Sequence, residues 1–192
     1  MARREIVTLV DPVLRERARE VTPGELAAPA TQRLIDDMIE TMRAASGAGL
    51  AANQVGELLR VAVIEVDGRN PRYPYKPPIA LTVIVNPVIE PLDDERFDVN
   101  EGCLSVPDVR GVVPRHVNVR VRYLDRYGEP HDEVRRGLTA GTFQHELDHL
   151  DGRLFLDRVE DLTTLTTWEE FERDHRAAFE ARARELVARV GS

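Results

Sequence analysis

The segment His145-Glu146-Leu147-Asp148-His149 places two histidines four residues apart, with a glutamate beside the first of them. If the segment is helical, both imidazoles project from one face and can bind a single divalent metal ion between them. The glutamate is then suitably placed to accept a proton from a water molecule on that metal. The pattern therefore predicts metal-assisted hydrolysis, and it leaves the substrate open.

A catalytic metal site of this kind usually has three protein ligands and one position for water, so a third ligand must lie elsewhere. A metzincin-like protease would have a histidine six residues after His149, but Phe155 stands there. A gluzincin-like peptidase would use a downstream acid, and Glu169 is at a plausible distance. The other candidate is Cys103, because a thiolate binds zinc or ferrous iron strongly. The spacing alone leaves Glu169 and Cys103 both open.

The composition of the chain limits the kind of protein that carries this pattern. Its 192 residues, 42% of them hydrophobic, are enough to bury the core of one compact domain. A net charge of −8 argues against general nucleic-acid binding, and the single cysteine excludes an internal disulfide. The apolar run near the N-terminus is too short for a signal segment, and no run approaches a membrane span. We therefore expect a cytoplasmic protein that binds neither membranes nor specific nucleic-acid sequences.

Three segments show features of helices. Apolar residues recur at helical spacing from Thr31 to Ala45, with Thr31 as the candidate N-cap. The metal-binding histidines predict a helix from Thr139 to Leu150 that ends at Gly152. The stretch after Thr163 is amphipathic to the end of the chain. We expect this last stretch to form a C-terminal helix.

Strands are predicted in the middle of the chain. The segments 60–66 and 81–88 are rich in β-branched residues, and the segment 71–78 between them is too proline-dense for regular structure. Residues 117–136 alternate with period two around a turn, which predicts a hairpin. Strands and helices do not alternate regularly. We therefore expect an α+β fold with mainly antiparallel sheets packed around a central metal-binding helix.

Three segments, in this order, resemble the signature motifs of the peptide deformylases: Gly-Ala-Gly-Leu-Ala-Ala-Asn-Gln at 47–54, Glu-Gly-Cys-Leu-Ser at 101–105, and Gln-His-Glu-Leu-Asp-His at 144–149. The resemblance extends from Arg4 to about Asp157, and three independent motifs in one order make it highly specific. Beyond about Asp161 the chain is similar to the helical extension of the bacterial enzymes only in kind. We expect a catalytic domain over residues 1–160 and a C-terminal helical extension of the same domain over residues 161–192.

The resemblance implies an activity and a metal. The family removes the N-formyl group from the N-terminal formyl-methionine of newly synthesised polypeptides and releases formate. By this resemblance, Cys103, His145 and His149 would hold one metal ion per chain. Two imidazoles and a thiolate suit several metals, and the resemblance favours Fe²⁺, with Zn²⁺, Ni²⁺ or Co²⁺ as substitutes.

The resemblance also implies three catalytic roles. Glu146 would take a proton from water and pass it to the departing amine. Negative charge develops on the formyl oxygen as the water adds, and fixed donors stabilise such charge by roughly 3–4 kcal/mol each. The family uses the side-chain amide of Gln54 and the backbone N–H of Leu104 as these donors.

The substrate contacts implied by the resemblance lie around the same motifs. The glycines of the first motif would let a peptide backbone approach closely and bind as an added strand. The methionine side chain would enter an apolar pocket near Leu138 and Thr142, and Arg110 would lie at the pocket rim. The predicted substrate-binding residues are Gly47, Ala48, Gly49, Gly102, Arg110, Leu138 and Thr142.

Several residues outside the motifs carry weaker hypotheses. Glu101 and Arg115 could form an ion pair behind the cysteine, and Asp148 either orients a ligand histidine or faces solvent. The other histidines lack ligand spacing, so we assign them to the surface or to structural roles. The C-terminal helix mixes arginine and glutamate, which is typical of a solvated face, and a functional hypothesis is contact with the ribosome near the exit tunnel.

Two non-deformylase interpretations remain. The first is a zinc peptidase in which Glu169 is the third ligand, and it predicts that Cys103→Ser keeps its metal. The second is a non-catalytic protein that retains formylated peptides without hydrolysing them. In that case Glu146→Ala would leave its behaviour unchanged.

Overall fold

The computed structural model describes residues 2–68, 70, 72 and 75–192. The predicted irregular segment 71–78 falls partly on Pro71, Tyr73 and Pro74, which lie outside the described residues. Residues 72 and 75–78 are described, and they belong to neither a helix nor a strand, as expected.

The helices lie in the first quarter, near residue 140 and at the C-terminal end. The α-helices in the described part of the chain are α1 (Pro23–Ala27), α2 (Pro29–Ala44), α3 (Gly137–Leu150), α4 (Trp168–Glu170) and α5 (Arg176–Val190). A turn of π-helix, Phe171–His175, joins α4 to α5. Short 3₁₀ helices occur at Pro12–Arg15, Ala52–Val55, Phe155–Arg158 and Leu162–Thr164.

The strands are β1 (Gly49–Ala51), β2 (Val61–Val66), β3 (Ile79–Pro91), β4 (Arg96–Cys103), β5 (Val106–His116), β6 (Asn118–Leu124), β7 (Pro130–Arg136) and β8 (Thr166–Thr167). They form a five-stranded sheet in the order β1-β2-β3-β6-β7 and a three-stranded sheet in the order β4-β5-β8. Every pairing within the two sheets is antiparallel. The predicted α+β class with antiparallel sheets is therefore confirmed.

The central helix α3 packs against strands of both sheets. On one side Ala140, Phe143 and Leu147 join an apolar cluster with residues of β2, β3 and β6. On another side Leu138 packs with Val99 of β4 and with aromatic side chains of the C-terminal segment. A helix buried in this way can hold side chains rigidly, which is what a metal site requires.

Several predicted boundaries are close to the observed ones, and one detail is wrong. The hairpin at 117–136 is β6 and β7, with Asn118 opposite Arg136. Thr31 is not the N-cap of α2: the helix begins at Pro29, and Ala28 is the cap. Proline at the first helical position has no N–H to satisfy and a backbone angle suited to a helix, so it starts α2 earlier than Thr31 would.

The C-terminal segment belongs to the packed structure. Phe171 and Phe179 are buried against Val99 and Leu138, and Leu186 is also buried. The proposed boundary between residues 160 and 161 stays a prediction. Across the described parts of the chain, helices that combine the length and the apolar composition needed to cross a bilayer are absent.

Candidate active site

Helix α3 brings three chemically important side chains to one place. His145 and His149 are one helical turn apart, and their rings lie edge to face with centroids 5.0 Å apart. His149 is 1% exposed and Glu146 is 5% exposed. The helix therefore presents both imidazoles on one face, as their spacing predicts.

The end of β4 brings the cysteine to these histidines. Cys103 ends β4, and the β4–β5 register shifts between Gly102 and Cys103. The Cys103 Sγ atom lies 3.3 Å from His149 Nε2. Among the described residues, Cys103, His145 and His149 form the group that could hold a metal, with one ligand atom from each residue and all three within 4.8 Å of one another.

These three side chains fit a single metal ion. Ligand atoms on one tetrahedral ion lie ~3–4 Å apart, because metal–nitrogen and metal–sulfur bonds are about 2.0–2.3 Å long. Burial, together with the charges of His145 and Arg115, lowers the pKa of His149 and favours the neutral imidazole that binds metals. His149 Nδ1 is buried, with no hydrogen-bond partner in the described structure. Glu169 is exposed on α4 and is not part of this group, so the geometry favours Cys103 over Glu169.

A chain of charged side chains lies behind His145. His145 Nδ1 is 2.8 Å from Glu101 Oε2, which leaves Nε2 as the nitrogen available to a metal. Arg115 donates to both carboxylate oxygens of Glu101, at 2.7 and 3.0 Å, and the predicted ion pair is confirmed. Burial alone would raise the pKa of Glu101, but Arg115 and His145 outweigh it and hold this pKa well below its usual range. Glu101 is therefore a permanent anion that fixes the His145 ring.

Asp148 extends this series of charged side chains away from the candidate metal ligands. It accepts hydrogen bonds from Arg115 at 2.5 Å and from Arg158 at 2.6 Å. Its side chain is 12% exposed. Asp148 is thus connected to His145 only through Arg115 and Glu101, so it does not merely face solvent, and a role in orienting the ring stays a prediction.

Glu146 lies in the same cleft with a carboxylate that is largely desolvated. Burial raises its pKa to about 7, although the positive charges of His145 and Lys76 oppose this shift. Its Oε2 atom has no hydrogen-bond partner among the described residues. A methyl group at Gly49 would overlap the Glu146 carboxyl group, so the side chain depends on a glycine at that position.

Gln54 stands next to the cysteine. Its Oε1 atom accepts a hydrogen bond from the backbone N–H of Ala51 at 2.9 Å. Its Nε2 atom donates to Ser105 Oγ at 3.1 Å and approaches Cys103 Sγ at 3.4 Å. The amide is thus oriented with its N–H group toward the metal-binding residues. The neighbouring Asn53 donates a hydrogen bond to the backbone oxygen of His149 at 2.5 Å and so connects the first motif to α3.

One cleft is lined by every predicted site residue except His149 and Leu138. His149 lies behind the cleft surface, and Leu138 packs in the apolar cluster with Val99 and two phenylalanines. The cleft also contains Tyr75, Lys76 and Asn100, which the sequence analysis did not identify. No motif marks these residues: two come from the proline-dense segment and one from a strand that was not predicted.

Arg110 differs most from expectation, because it is fully buried instead of standing at the rim. Its Nε and Nη2 atoms donate to the side chain and backbone oxygens of Asn100, at 2.6 and 2.7 Å. Its guanidinium carbon lies 4.3 Å from the ring centre of Trp168 and 4.2 Å from that of Phe171. Arg110 is one of the residues around the cleft, and its Nη1 atom is buried without a hydrogen-bond partner in the described structure. Contact with a peptide stays a prediction, but the rim position is wrong, because the C-terminal segment covers the guanidinium.

The comparisons with known proteins cover all the residues that form this site. The family model for polypeptide deformylase matches residues 3–164. Peptide deformylase 2 of Nostoc sp. is 42% identical over 167 residues, which cover 87% of this chain and 92% of the relative. Peptide deformylase 2 of Ralstonia nicotianae is 50% identical over 135 residues, which cover 70% of this chain and 76% of the relative.

Solved structures agree with these matches. The Met-Ala-Ser-bound class I type b peptide deformylase of Acinetobacter baumannii superposes with a TM-score of 0.79 at 39% identity, covering 82% of this chain and 99% of that one. A peptide deformylase from Legionella pneumophila gives a TM-score of 0.71 at 35% identity and covers 98% of this chain and 95% of that one. Because the family model and the relatives span the strands and the helix that build the cleft, the chain belongs to the polypeptide deformylase family of enzymes.

Proposed function

We propose that this enzyme removes the N-formyl group from the N-terminal formyl-methionine of newly synthesised polypeptides, using one metal ion held by Cys103, His145 and His149. The main observation behind the proposal is that the three potential ligand atoms lie within 4.8 Å of one another. Glu146 lines the same cleft as Cys103 and His145. Metal-dependent hydrolysis of an amide needs the metal ligands and an acid–base group close together.

Fe²⁺ is the metal that the family resemblance favours, and Zn²⁺, Ni²⁺ and Co²⁺ suit the same two imidazoles and thiolate. When bound, the metal would supply Lewis acidity and lower the pKa of water, so that amide hydrolysis proceeds near neutral pH. An iron(II) site with a thiolate ligand should be sensitive to oxygen. Activity that is kept under anaerobic preparation and lost in air would support iron, and undiminished turnover with zinc would argue against it.

Glu146 is the general base and acid in this proposal. Its pKa, raised to about 7 by burial, suits a group that must both accept and donate a proton near neutrality. The Oε2 atom is buried and has no hydrogen-bond partner among the described residues, so its capacity to accept a hydrogen bond is unused there. Glu101 orients the His145 ring through the 2.8 Å contact at Nδ1.

Gln54 and the backbone N–H of Leu104 stabilise the formyl oxygen as it becomes negative. Gln54 Nε2 lies 3.4 Å from Cys103 Sγ, which supports donation to an oxygen beside the metal-binding residues. Leu104 adjoins the ligand cysteine and lines the cleft. Each such donor is worth roughly 3–4 kcal/mol in the transition state, so loss of either one should slow the reaction by ~10²–10³-fold.

The substrate peptide binds as an extra strand between the two sheets. β1 ends the strand order of one sheet and β4 ends that of the other, and both contribute residues to the cleft. Strands at the edge of a sheet can accept peptide backbones through main-chain hydrogen bonds. A relative whose solved structure holds Met-Ala-Ser supports a peptide that begins with methionine.

Formyl-methionyl nascent polypeptides are made in the cytoplasm, so we propose that the enzyme works there, beside the ribosomal exit tunnel. The surface of α5 carries exposed arginines, among them Arg182 and Arg184, that could contact the ribosome. Charge reversal at both positions should weaken co-sedimentation with ribosomes. Unchanged co-sedimentation would remove ribosome contact from the proposal.

Formate release tests the proposed activity. Protein purified without oxygen should release formate from formyl-Met-Ala-Ser, and Glu146→Ala should lose ~10²–10⁴-fold in rate while retaining its metal. Glu169→Ala is the matched control and should keep the wild-type rate. Wild-type protein that binds the peptide without releasing formate would indicate a non-catalytic binder, and internal cleavage of unformylated peptides would indicate a peptidase.

A further inference from the structure

Asn53 connects the first sequence motif to the last turn of α3. It lies in the 3₁₀ helix Ala52–Val55 and is fully buried. Its Nδ2 atom donates a hydrogen bond to the backbone oxygen of His149 at 2.5 Å, and the backbone N–H of Gly152 also donates to this oxygen, at 3.0 Å. The last four carbonyl groups of a helix have no regular partner within the helix. Asn53 therefore fixes a carbonyl group that is otherwise bonded only by the turn after α3.

The same 3₁₀ helix contacts a second candidate ligand. Gln54, the next residue, approaches Cys103 Sγ with its Nε2 atom at 3.4 Å. Cys103 Sγ in turn lies 3.3 Å from His149 Nε2. One short element thus contacts the cysteine through Gln54 and the histidine through Asn53, so it contributes to the distance between these two ligands.

The two histidines are held in different ways. Ligand histidines are usually oriented by a hydrogen bond at the ring nitrogen that does not bind the metal. Glu101 makes this contact with His145 Nδ1, at 2.8 Å. The Nδ1 atom of His149 is buried and has no hydrogen-bond partner among the described residues. The position of the His149 ring therefore depends on packing and on its backbone, which Asn53 holds.

The amide of Asn53 is not explained by stability alone. Its Oδ1 atom is buried without a hydrogen-bond partner in the described part of the chain. An unpaired buried carbonyl oxygen costs free energy, and a leucine of similar volume would avoid that cost. The bond from Nδ2 to a ligand residue is what the amide provides and leucine lacks.

We propose that Asn53 is a positioning residue for His149: its amide, through the backbone oxygen, keeps this imidazole at the distance from Cys103 that one metal ion requires. The inference rests on the proposed metal site. Asn53 is not among the described residues around the cleft, so it acts on the ligand and not on the substrate. Its loss should weaken metal binding by about 10–100-fold, the effect typical of residues that orient ligands.

The test compares Asn53→Leu with a matched variant at the next carbonyl group of α3. Arg60 donates to the backbone oxygen of Leu150 at 3.3 Å, and this oxygen also accepts from the backbone N–H of Ala18. Asn53→Leu and Arg60→Met each remove one side-chain donor from a carbonyl group that keeps a backbone donor. Only the first of these carbonyl groups belongs to a candidate ligand. Asn53→Ala removes the same amide without adding bulk and should behave as Asn53→Leu does.

Co²⁺ is the probe, because it suits the same two imidazoles and thiolate, and its visible absorption reports the ligand geometry. Titration of metal-free protein against a competing chelator should give a dissociation constant about 10–100-fold higher in Asn53→Leu than in the wild type. The absorption bands should also shift, whereas Arg60→Met should keep the wild-type constant and bands. The free energy of unfolding of metal-free protein should fall no more in Asn53→Leu than in Arg60→Met. At saturating Co²⁺, Asn53→Leu should lower kcat for formyl-Met-Ala-Ser and leave KM unchanged.

Equal affinity and absorption in the wild type, Asn53→Leu and Asn53→Ala would overturn the inference. An equal loss of affinity in Arg60→Met would also overturn it, because the effect would then belong to the end of α3 in general. If the wild type itself binds no Co²⁺, the proposed metal site and the role of Asn53 both fail. If the wild type binds Co²⁺, Asn53→Leu binds it more weakly and no formate is released, the proposed deformylation fails and the role of Asn53 stands.

Discussion

Glu146 shows how single residues make the chemistry possible. Burial raises the pKa of the Glu146 carboxyl group to about 7. The same carboxyl group also occupies space that a side chain at position 49 would fill. This overlap explains one glycine of the first motif by a direct steric contact. In the proposed mechanism, Gly49 thus leaves room for the base Glu146 as well as for the approach of a substrate strand.

Gly49→Ala should lower kcat about 10²-fold, because its methyl group displaces the Glu146 carboxylate by roughly 1 Å from its productive position. Gly24→Ala is the matched control, since a methyl group there meets nothing within 4 Å. The comparison requires formate-release kinetics at equal metal content. Wild-type kcat in Gly49→Ala would contradict the steric argument.

At the scale of elements, α3 and the β4–β5 pair share one buried charge network. Arg115 on β5 donates hydrogen bonds to Glu101 on β4 and to Asp148 on α3, and Glu101 also contacts His145. Glu101 is 6% exposed and Arg115 is 4% exposed, so neither charge can be satisfied by bulk water. The network therefore fixes the position of the strand pair against the helix as well as the orientation of the ligand ring.

Arg115→Leu should reduce the free energy of unfolding by about 3–5 kcal/mol, because it leaves buried carboxylates without their partner. It should also weaken metal binding by about 10–100-fold through the loss of His145 orientation. Arg120→Leu is the control: it breaks an exposed pair with Asp132 and should cost at most about 1 kcal/mol. Denaturant unfolding and metal analysis provide the two readouts. Unchanged metal content in Arg115→Leu would refute the positioning role.

The elements that the sequence predicts are those with a clear pattern. α2 and the β6–β7 hairpin have apolar residues at the period of their structure, so local pattern and fold agree. β4 and β5 were missed because Asn100, Glu101 and Arg110 interrupt the alternation of an ordinary strand. Their polar side chains are buried because they serve the site, and a single sequence does not show which partners satisfy them.

At the scale of the whole molecule, the C-terminal segment packs against residues that line the cleft. Trp168 and Phe171 cover the guanidinium of Arg110, and Phe179 packs edge to face against Tyr75 at 5.1 Å. Tyr75 itself lines the cleft. Sequence motifs identified the three candidate metal ligands, but this coverage depends on long-range packing, which is why Arg110 was expected at the pocket rim.

Phe179→Ala should destabilise the whole protein by about 3–5 kcal/mol, because it opens a cavity in the cluster with Val99 and Leu138. Unfolding should remain one cooperative transition if residues 161–192 belong to the same domain as residues 1–160. Tyr127→Ala is the control, since Tyr127 is 80% exposed. Thermal unfolding followed by circular dichroism measures both variants. Two separate transitions in the wild-type protein would contradict a single domain.

The central claim is that one thiolate and two imidazoles hold the catalytic metal. The most direct test measures formate release from formyl-Met-Ala-Ser while Fe²⁺ is titrated without oxygen into metal-free protein. The rate should rise to a plateau at one metal ion per chain in the wild type and in Glu169→Ala, and it should stay at background in Cys103→Ser. A Cys103→Ser protein that reaches the wild-type plateau, or a Glu169→Ala protein that does not, would contradict the claim.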